Sequence, residues 1–253
     1  TMVQVQEKGS IPMEELKVGD YVLVRDDVDS QLYEEVFTFL HLDRGQEAEF
    51  FQIHGDGLEV PLELSFHHMV WVGDDKMMQA SDIQPGDVLP MTMLTTTSSS
   101  SITVTKIEKV QRQGVYAPAT MSGTIVVNGH IHASNYIAIL DHSPLDQHAA
   151  AHAFMGPLRM FCSCHQELCN SSAWTTEDGY PLLVYFLVTI VEWINRYCSA
   201  PLQVVISLVA IPLMGLLAFV EYLFWNPLYG CVSILFLLLV WKMLVAGKKK
   251  RHN

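Results

Sequence analysis

Through the first half of the chain the apolar residues fall in short β-branched and aromatic runs separated by turn residues: Met2 to Val5, Tyr21 to Val24, Val36 to Leu40, Phe50 to Ile53, Met69 to Val72, Ile102 to Ile107 and Thr124 to Val127. Runs this short, bounded by Gly, Asp, Pro and Ser, predict strands. Strands this numerous predict an all-β domain. The pattern then changes, and three longer apolar stretches follow: Pro181 to Ile194, Pro201 to Val220 and Tyr222 to Ala246. A helix that crosses the hydrocarbon layer needs roughly 20 apolar residues. The second and third stretches meet that length; the first is short and reads as a tilted span, a re-entrant piece or a helix lying on the surface. The pattern divides the chain into a β domain at 1–145, a juxtamembrane segment at 146–178, two or three transmembrane helices at 179–247 and a basic tail at 248–253.

The β region carries an internal echo. Leu16-Lys17-Val18-Gly19-Asp20 returns as Ile83-Gln84-Pro85-Gly86-Asp87, an offset of 67 residues. The same offset lays Val36 to Leu40 on Thr103 to Ile107, brings Asp56-Gly57 near Ser122-Gly123 and sets His68 on Asn135. A fixed offset across several elements predicts a duplicated unit that buries, by pairing with its copy, a face neither half can bury alone. In each copy Gly supplies an unusual backbone angle and Asp bonds its own turn, as where a short helical turn feeds a new strand. Thr92 to Ser101, rich in Thr and Ser, reads as a flexible surface loop.

Charge separates the two regions further. Residues 1–150 hold 22 Asp and Glu against 8 Lys and Arg, whereas residues 151–253 hold 5 acids and 7 bases. The acidic half lacks the clustered Lys and Arg that neutralise phosphates, which excludes nucleic acid as a partner. Lys248-Lys249-Lys250-Arg251 follows the last apolar stretch and by the positive-inside rule stays cytosolic. Three spans then place the β domain in the lumen or outside the cell, and two leave it in the cytosol. Lys242 can snorkel to the cytosolic face, and Glu192 and Glu221 lie near interfaces, so the spans carry no buried charge relay. The chain opens inside a strand with no signal-peptide pattern, which reads as a piece of a longer precursor.

All five cysteines, Cys162, Cys164, Cys169, Cys198 and Cys231, follow the acidic domain, which must therefore be held by its core. Cys162, Cys164, His165 and Cys169 cluster before the apolar region. Metal binding, disulfide formation, lipidation of juxtamembrane thiols and no special role all remain open there. No organic cofactor or metal is indicated elsewhere.

Several blocks then resemble, in order and spacing, the Hedgehog C-terminal autoprocessing (Hint) domain: "TMVQVQEKGSIPMEELKVGDYVLV", "LYEEVFTFLH", "LELSFHHMVWV", "ASDIQPGDVLP", "GVYAPATMSGTIVVNGHIHASNY" and "HAFMGPLRM". The resemblance covers about residues 1–160. It implies a compact disk of two pseudo-symmetric β halves, in agreement with the duplication. It also implies protein self-processing, in which a cysteine thiol opening the domain attacks the preceding carbonyl and turns a peptide bond into a thioester. A second nucleophile, a sterol hydroxyl in Hedgehog proteins, then cleaves that thioester. Such a relay divides one hard amide cleavage into two easier steps.

The family's Thr-x-x-His falls on Ser65-Phe66-His67-His68. The resemblance implies that His68 protonates the departing amide nitrogen and that the Ser65 hydroxyl helps hold the scissile peptide. His68 is favoured over His67 because Met69-Val70-Trp71-Val72 follows it directly, as in the family. Where Hedgehog proteins place an aspartate that activates the sterol, this chain has His41, with Asp43 two residues on. His41 is either a general base or a surface residue beside Arg44. Water, another small nucleophile or a different lipid is then as good an acceptor as a sterol. The late Ala-Ser-Cys-Tyr of the family reads Ala133-Ser134-Asn135-Tyr136 here, and the family's Cys-Phe belongs ahead of Thr1, outside this chain.

The expected substrate is the protein's own upstream polypeptide, and the expected setting is a multi-pass membrane protein of the secretory pathway or plasma membrane. Two alternatives stand beside self-processing: a catalytically inactive membrane-anchored β-module for binding or display, and a multi-pass membrane protein with a regulatory soluble domain.

Overall fold

The structure, a computed structural model, describes residues 1–25, 32–73, 76–91, 100–129 and 131–227. Residues 92–99 of the Ser/Thr-rich stretch, most of the third apolar stretch, Cys231, Lys242 and the basic tail lie outside the described residues.

The predicted β runs form strands, and the duplication organises them. In the first copy β1 (Met2–Val5) pairs with β2 (Gly9–Pro12), so that Met2, Val3, Gln4 and Val5 face Pro12, Ile11, Ser10 and Gly9. In the second copy β7 (His68–Val72) pairs with β8 (Lys76–Gln79), and Met69, Val70, Trp71 and Val72 face Gln79, Met78, Met77 and Lys76. Each hairpin leads into a 3-10 turn, Met13–Glu15 or Ala80–Asp82. Then comes the repeated Gly-Asp turn, with the same hydrogen bonds in both copies. Asp20 Oδ2 accepts from Lys17 N at 3.1 Å, and Asp87 Oδ2 from Gln84 N at 2.8 Å. Gly19 and Gly86 have φ of 90° and 101°, which an L side chain rarely adopts. Leu16 and Ile83, the apolar residues ahead of each turn, are buried in the core.

After these turns β3 (Tyr21–Leu23) and β4 (Tyr33–Glu35) lead to β5 (Thr38–Gly55), while β9 (Val88–Met91) leads to β10 (Ser100–Ala119). Here the sequence expectation needs correction. Val36 to Leu40 and Phe50 to Ile53 are not separate strands; β5 is continuous over 18 residues and pairs antiparallel with the 20-residue β10. The middle of β5, Asp43 to Glu49, is polar and mostly exposed, so it lacks the half-buried alternation by which strands are recognised. Its backbone is satisfied by the partner copy, and pairing decides where side-chain pattern does not.

The strands β6 (Leu62–Leu64), β11 (Thr124–Val127) and β12 (Ile131–Ile137) complete a 12-stranded sheet. Buried Val3, Val5, Val22, Ile53, Leu62, Val70, Leu89, Ile102, Ile125 and Ile131 form the core where the two copies meet.

A helical layer follows. Asp146 caps α1 (Gln147–Cys164) by accepting from Ala149 N at 2.9 Å, one of the four N–H groups a helix start leaves unpaired. Next come α2 (Gln166–Cys169), α3 (Leu182–Tyr197) and α4 (Ala200–Trp225). Leu158, Cys162, Cys169 and Val184 join Phe37, Leu40, Met69 and Tyr136 in a second apolar cluster, which fixes this layer to the β body. Cys162 and Cys169 form a disulfide, one of the alternatives open for that cluster. At 26 residues with mean hydropathy 2.4, α4 is the one helix among the described residues long and apolar enough to cross a membrane. The 16-residue α3 falls short of that length.

Candidate functional site

The site begins where the chain begins. Met2 N donates to Asn128 Oδ1 at 2.8 Å, and the Asn128 amide in turn donates to the carbonyls of Val60 and Pro61 at 3.1 Å. One residue earlier, Thr1 Oγ1 donates to the Glu63 carbonyl at 3.0 Å. Moving back from Met2 to Thr1 therefore moves forward from Val60 to Glu63. Two residues beyond Glu63 lies Ser65, which opens a tight turn closed by His68 N donating to the Ser65 carbonyl at 3.1 Å. The backbones of Ser65 and His68 are thus joined in one turn, which begins two residues past the Glu63 carbonyl that Thr1 Oγ1 meets.

His68 starts β7, opposite Ile137 of β12. Burial lowers its pKa to about 4, outweighing the opposite pull of the nearby Ser134 backbone. The imidazole is neutral near pH 7. The neighbouring His67 faces elsewhere: its Nδ1 meets Gln79 Oε1 at 2.8 Å, and its ring packs edge-on against Phe66. His67 also lines a cavity of about 730 Å³ between this turn and α3, together with Ile137, Asp141, Glu192, Trp193 and Tyr197.

His41 lies apart from that group. It is buried, not a surface residue beside Arg44. Its Nε2 lies 3.0 Å from the Asp178 carbonyl and its ring stacks on Tyr180 with centroids 3.8 Å apart. Since a carbonyl only accepts, Nε2 carries the proton and Nδ1 keeps the lone pair. Burial lowers the His41 pKa more than the Asp178 contact raises it. Both contacts go to the loop ahead of α3, and neither reaches Ser65 or His68. Asp43 accepts from Gly45 N and Gln46 N at 2.8 and 3.1 Å and so serves its own turn.

Asn135, at the position of the family's cysteine, is buried, its amide 2.7 Å from Thr120 N and 2.8 Å from Thr120 Oγ1. Its chain neighbour Ser134 is the residue whose backbone lies beside His68. Ser134 is wholly buried, and its hydroxyl contacts His148 Nδ1 at 2.9 Å and accepts from Tyr136 N at 3.0 Å.

Beside it, Tyr136 Oη lies 3.0 Å from His152 Nδ1 and accepts from Arg159 at 3.0 Å. Arg159 makes a two-bond ion pair with Glu221 of α4, at 2.6 and 2.5 Å. Burial lowers the pKa of His148, and that of His152 to about 4, the nearby Arg159 charge adding to both shifts. The block HAFMGPLRM holds His152 and Arg159, but neither its motif nor the resemblance assigns these side chains a role. The signal was present in their helical spacing, because His148, His152 and Arg159 fall on one face of α1.

Comparison with known proteins gives a consistent answer. The family model described as "Hint module" matches residues 1–195. Tiggy-winkle hedgehog protein of Danio rerio is 31% identical over 161 residues, 61% of this chain and 36% of its own length. Warthog protein 8 of Caenorhabditis elegans is 31% identical over 163 residues, 60% of this chain and 28% of its own length. The chain spans about a third of the length of the curated relatives it matches. A solved gp41-1 intein aligns at 20% identity with a TM-score of 0.39, covering 53% of this chain and 93% of that one.

Proposed function

The chain belongs to the Hint module family, and from that premise we propose that it carries out protein self-processing on a polypeptide joined ahead of Thr1. The observation that carries the reading is the direction of the N-terminus. The Met2–Asn128–Val60 and Thr1–Glu63 contacts lead an incoming chain toward Ser65 and the turn that ends at His68.

In the first step a cysteine thiol ahead of Thr1 attacks the carbonyl before it. The neutral His68 imidazole takes the thiol proton and passes it to the amide nitrogen as the C–N bond breaks and the C–S bond forms, leaving a thioester and a free amine. The Ser65 hydroxyl holds the scissile peptide. A depressed pKa suits this shuttle, because a histidine already charged at neutral pH would have no lone pair to receive the proton.

In the second step a hydroxyl attacks the thioester and the thiol leaves. The general-base role falls to His41 by its place in the family pattern and not by contact with Ser65 or His68, with Nδ1 as the free lone pair, and the hydroxyl belongs to a sterol, another lipid or water. The cavity beside His67 is large enough for more than water and is walled by α3. The apolar α4 and the sequence after it anchor the domain to a membrane of the secretory pathway, where the Cys162–Cys169 disulfide is stable. The alternative, an inactive display module, predicts no thioester.

The test is a precursor with a reporter domain and a cysteine-led linker ahead of Thr1. Self-processing requires two fragments whose yield rises with dithiothreitol or hydroxylamine. An intact precursor under both reagents sinks the proposal.

A further inference from the structure

We infer that α4 does not cross the bilayer but lies in the plane of its surface, one face on the protein and the other in lipid. This rests on the membrane-anchored reading and refines it.

Apart from Tyr222 near its end, α4 has three polar side chains, Gln203, Ser207 and Glu221. All three turn toward the protein. Gln203 and Ser207 are buried, Gln203 Oε1 accepting from His142 N at 3.2 Å and Ser207 bonding back to the Gln203 carbonyl at 2.9 Å. Glu221 makes the two-bond pair with Arg159, which is 1% exposed. It sits so close to α1 that a Cβ on Gly156 would fall 2.8 Å from Glu221 Oε2. Gln203 and Glu221 are separated by about 27 Å of helix at 1.5 Å per residue. A helix tied to the body near both ends lies along that body, with Pro212 the point between the ties where it can bend. Standing it across the hydrocarbon would either break these bonds or draw the polar β domain, with its loops and sheet edges, into lipid.

The opposite face carries no ionisable group. Val205, Val209, Leu213, Leu216, Phe219 and Val220 are each 44 to 71% exposed. So wide an apolar surface marks a binding face. Lipid is the occupant the chain itself points to, since the sequence continues from Asn226 into an apolar stretch that ends at Lys248-Lys249-Lys250-Arg251. Exposed Trp193 and Tyr197 of α3 and Tyr222 and Trp225 of α4 add the aromatic groups that favour the headgroup level.

The experiment uses the full chain reconstituted in vesicles of phosphatidylcholine and phosphatidylserine, with Cys164, Cys198 and Cys231 replaced by serine. A nitroxide is attached at Val205→Cys, Val209→Cys, Leu216→Cys or Val220→Cys, and its depth is read from relative oxygen and nickel-chelate accessibility. The expected result is one shallow depth, about 5–10 Å into the boundary layer, at all four positions. A depth that peaks near Val209 and Leu216 and falls toward Val205 and Val220 means that α4 crosses, which overturns this inference and leaves the anchoring intact. Nickel accessibility at all four positions, or spin–spin broadening between copies, assigns the face to solvent or to a second chain and also overturns it. Failure of the chain to sediment with vesicles removes the anchoring reading as well. Thioester formation is assayed separately and is independent of these outcomes.

Discussion

His68, at the start of β7, lies opposite Ile137 of β12 in the antiparallel register, which sets its imidazole beside the Ser134 backbone of that strand. His68, and not His67, is the residue proposed for proton transfer in the first step. In the cysteine-led precursor, His68→Ala lowers dithiothreitol-induced cleavage by about 10²- to 10⁴-fold, the usual contribution of a proton-transfer group. Ser65→Thr retains cleavage and Ser65→Ala slows it. Fragment yield against time on a gel measures all three.

Acid acts on folding through the histidines whose charged form partial or full burial disfavours. His68 and His152 have folded-state pKa values lowered to about 4, and those of His41 and His148 are also lowered, against about 6.5 in an unfolded chain. Below pH 6.5 the unfolded state binds protons that the folded state refuses. The stabilisation is therefore complete above that pH and is lost as pH falls toward 4. Urea midpoints at pH 7.5, 5.5 and 4.5 are expected to decline in that order. Cleavage limited by neutral His68 has its acid limb near pH 4 instead of 6.5.

The second step separates two histidines. If His41 activates the hydroxyl, His41→Gln leaves dithiothreitol-induced cleavage near wild type while spontaneous cleavage stops and thioester accumulates. His67→Gln, which alters the cavity wall, is the control. Should His67→Gln stop spontaneous cleavage and His41→Gln not, the base belongs beside the cavity. Trapping the thioester with hydroxylamine and quantifying it by mass spectrometry decides between them.

The twin turns predict twin effects. Asp20→Ala and Asp87→Ala each remove a side-chain bond to a turn N–H, worth about 0.5–1.5 kcal/mol, and Asp20→Ala also removes the exposed Lys8 ion pair, which adds little. The bonds lie in different copies, so the double variant is expected to lose close to the sum. Chemical denaturation of the single and double variants gives the comparison.

Arg159→Ala leaves the Glu221 carboxylate facing the protein without its partner, and also removes the Tyr136 contact. Breaking a buried pair from one side costs about 3–5 kcal/mol. Arg159→Ala is therefore expected to release α4, seen as protease cleavage between α3 and α4, before the β body melts.

Taken alone, the sequence determined what depends on local chemistry. Short apolar runs set half of the strands, Gly and Asp at a repeated offset set the twin turns and the duplication, and Ser65 and His68 lie close enough in the chain for one turn to join them. The apolar stretches at Pro181 to Ile194 and Pro201 to Val220 likewise announced α3 and α4. What only the tertiary structure decided is what depends on which distant surfaces meet. The polar middle of β5 is a strand because β10 supplies its hydrogen bonds, and His41 is buried because the Asp178–Tyr180 loop covers it. Ser134 meets His68, and Glu221 meets Arg159, across gaps that no periodicity encodes. Side-chain pattern records the environment each residue prefers, whereas partner identity is a property of packing between elements remote in sequence.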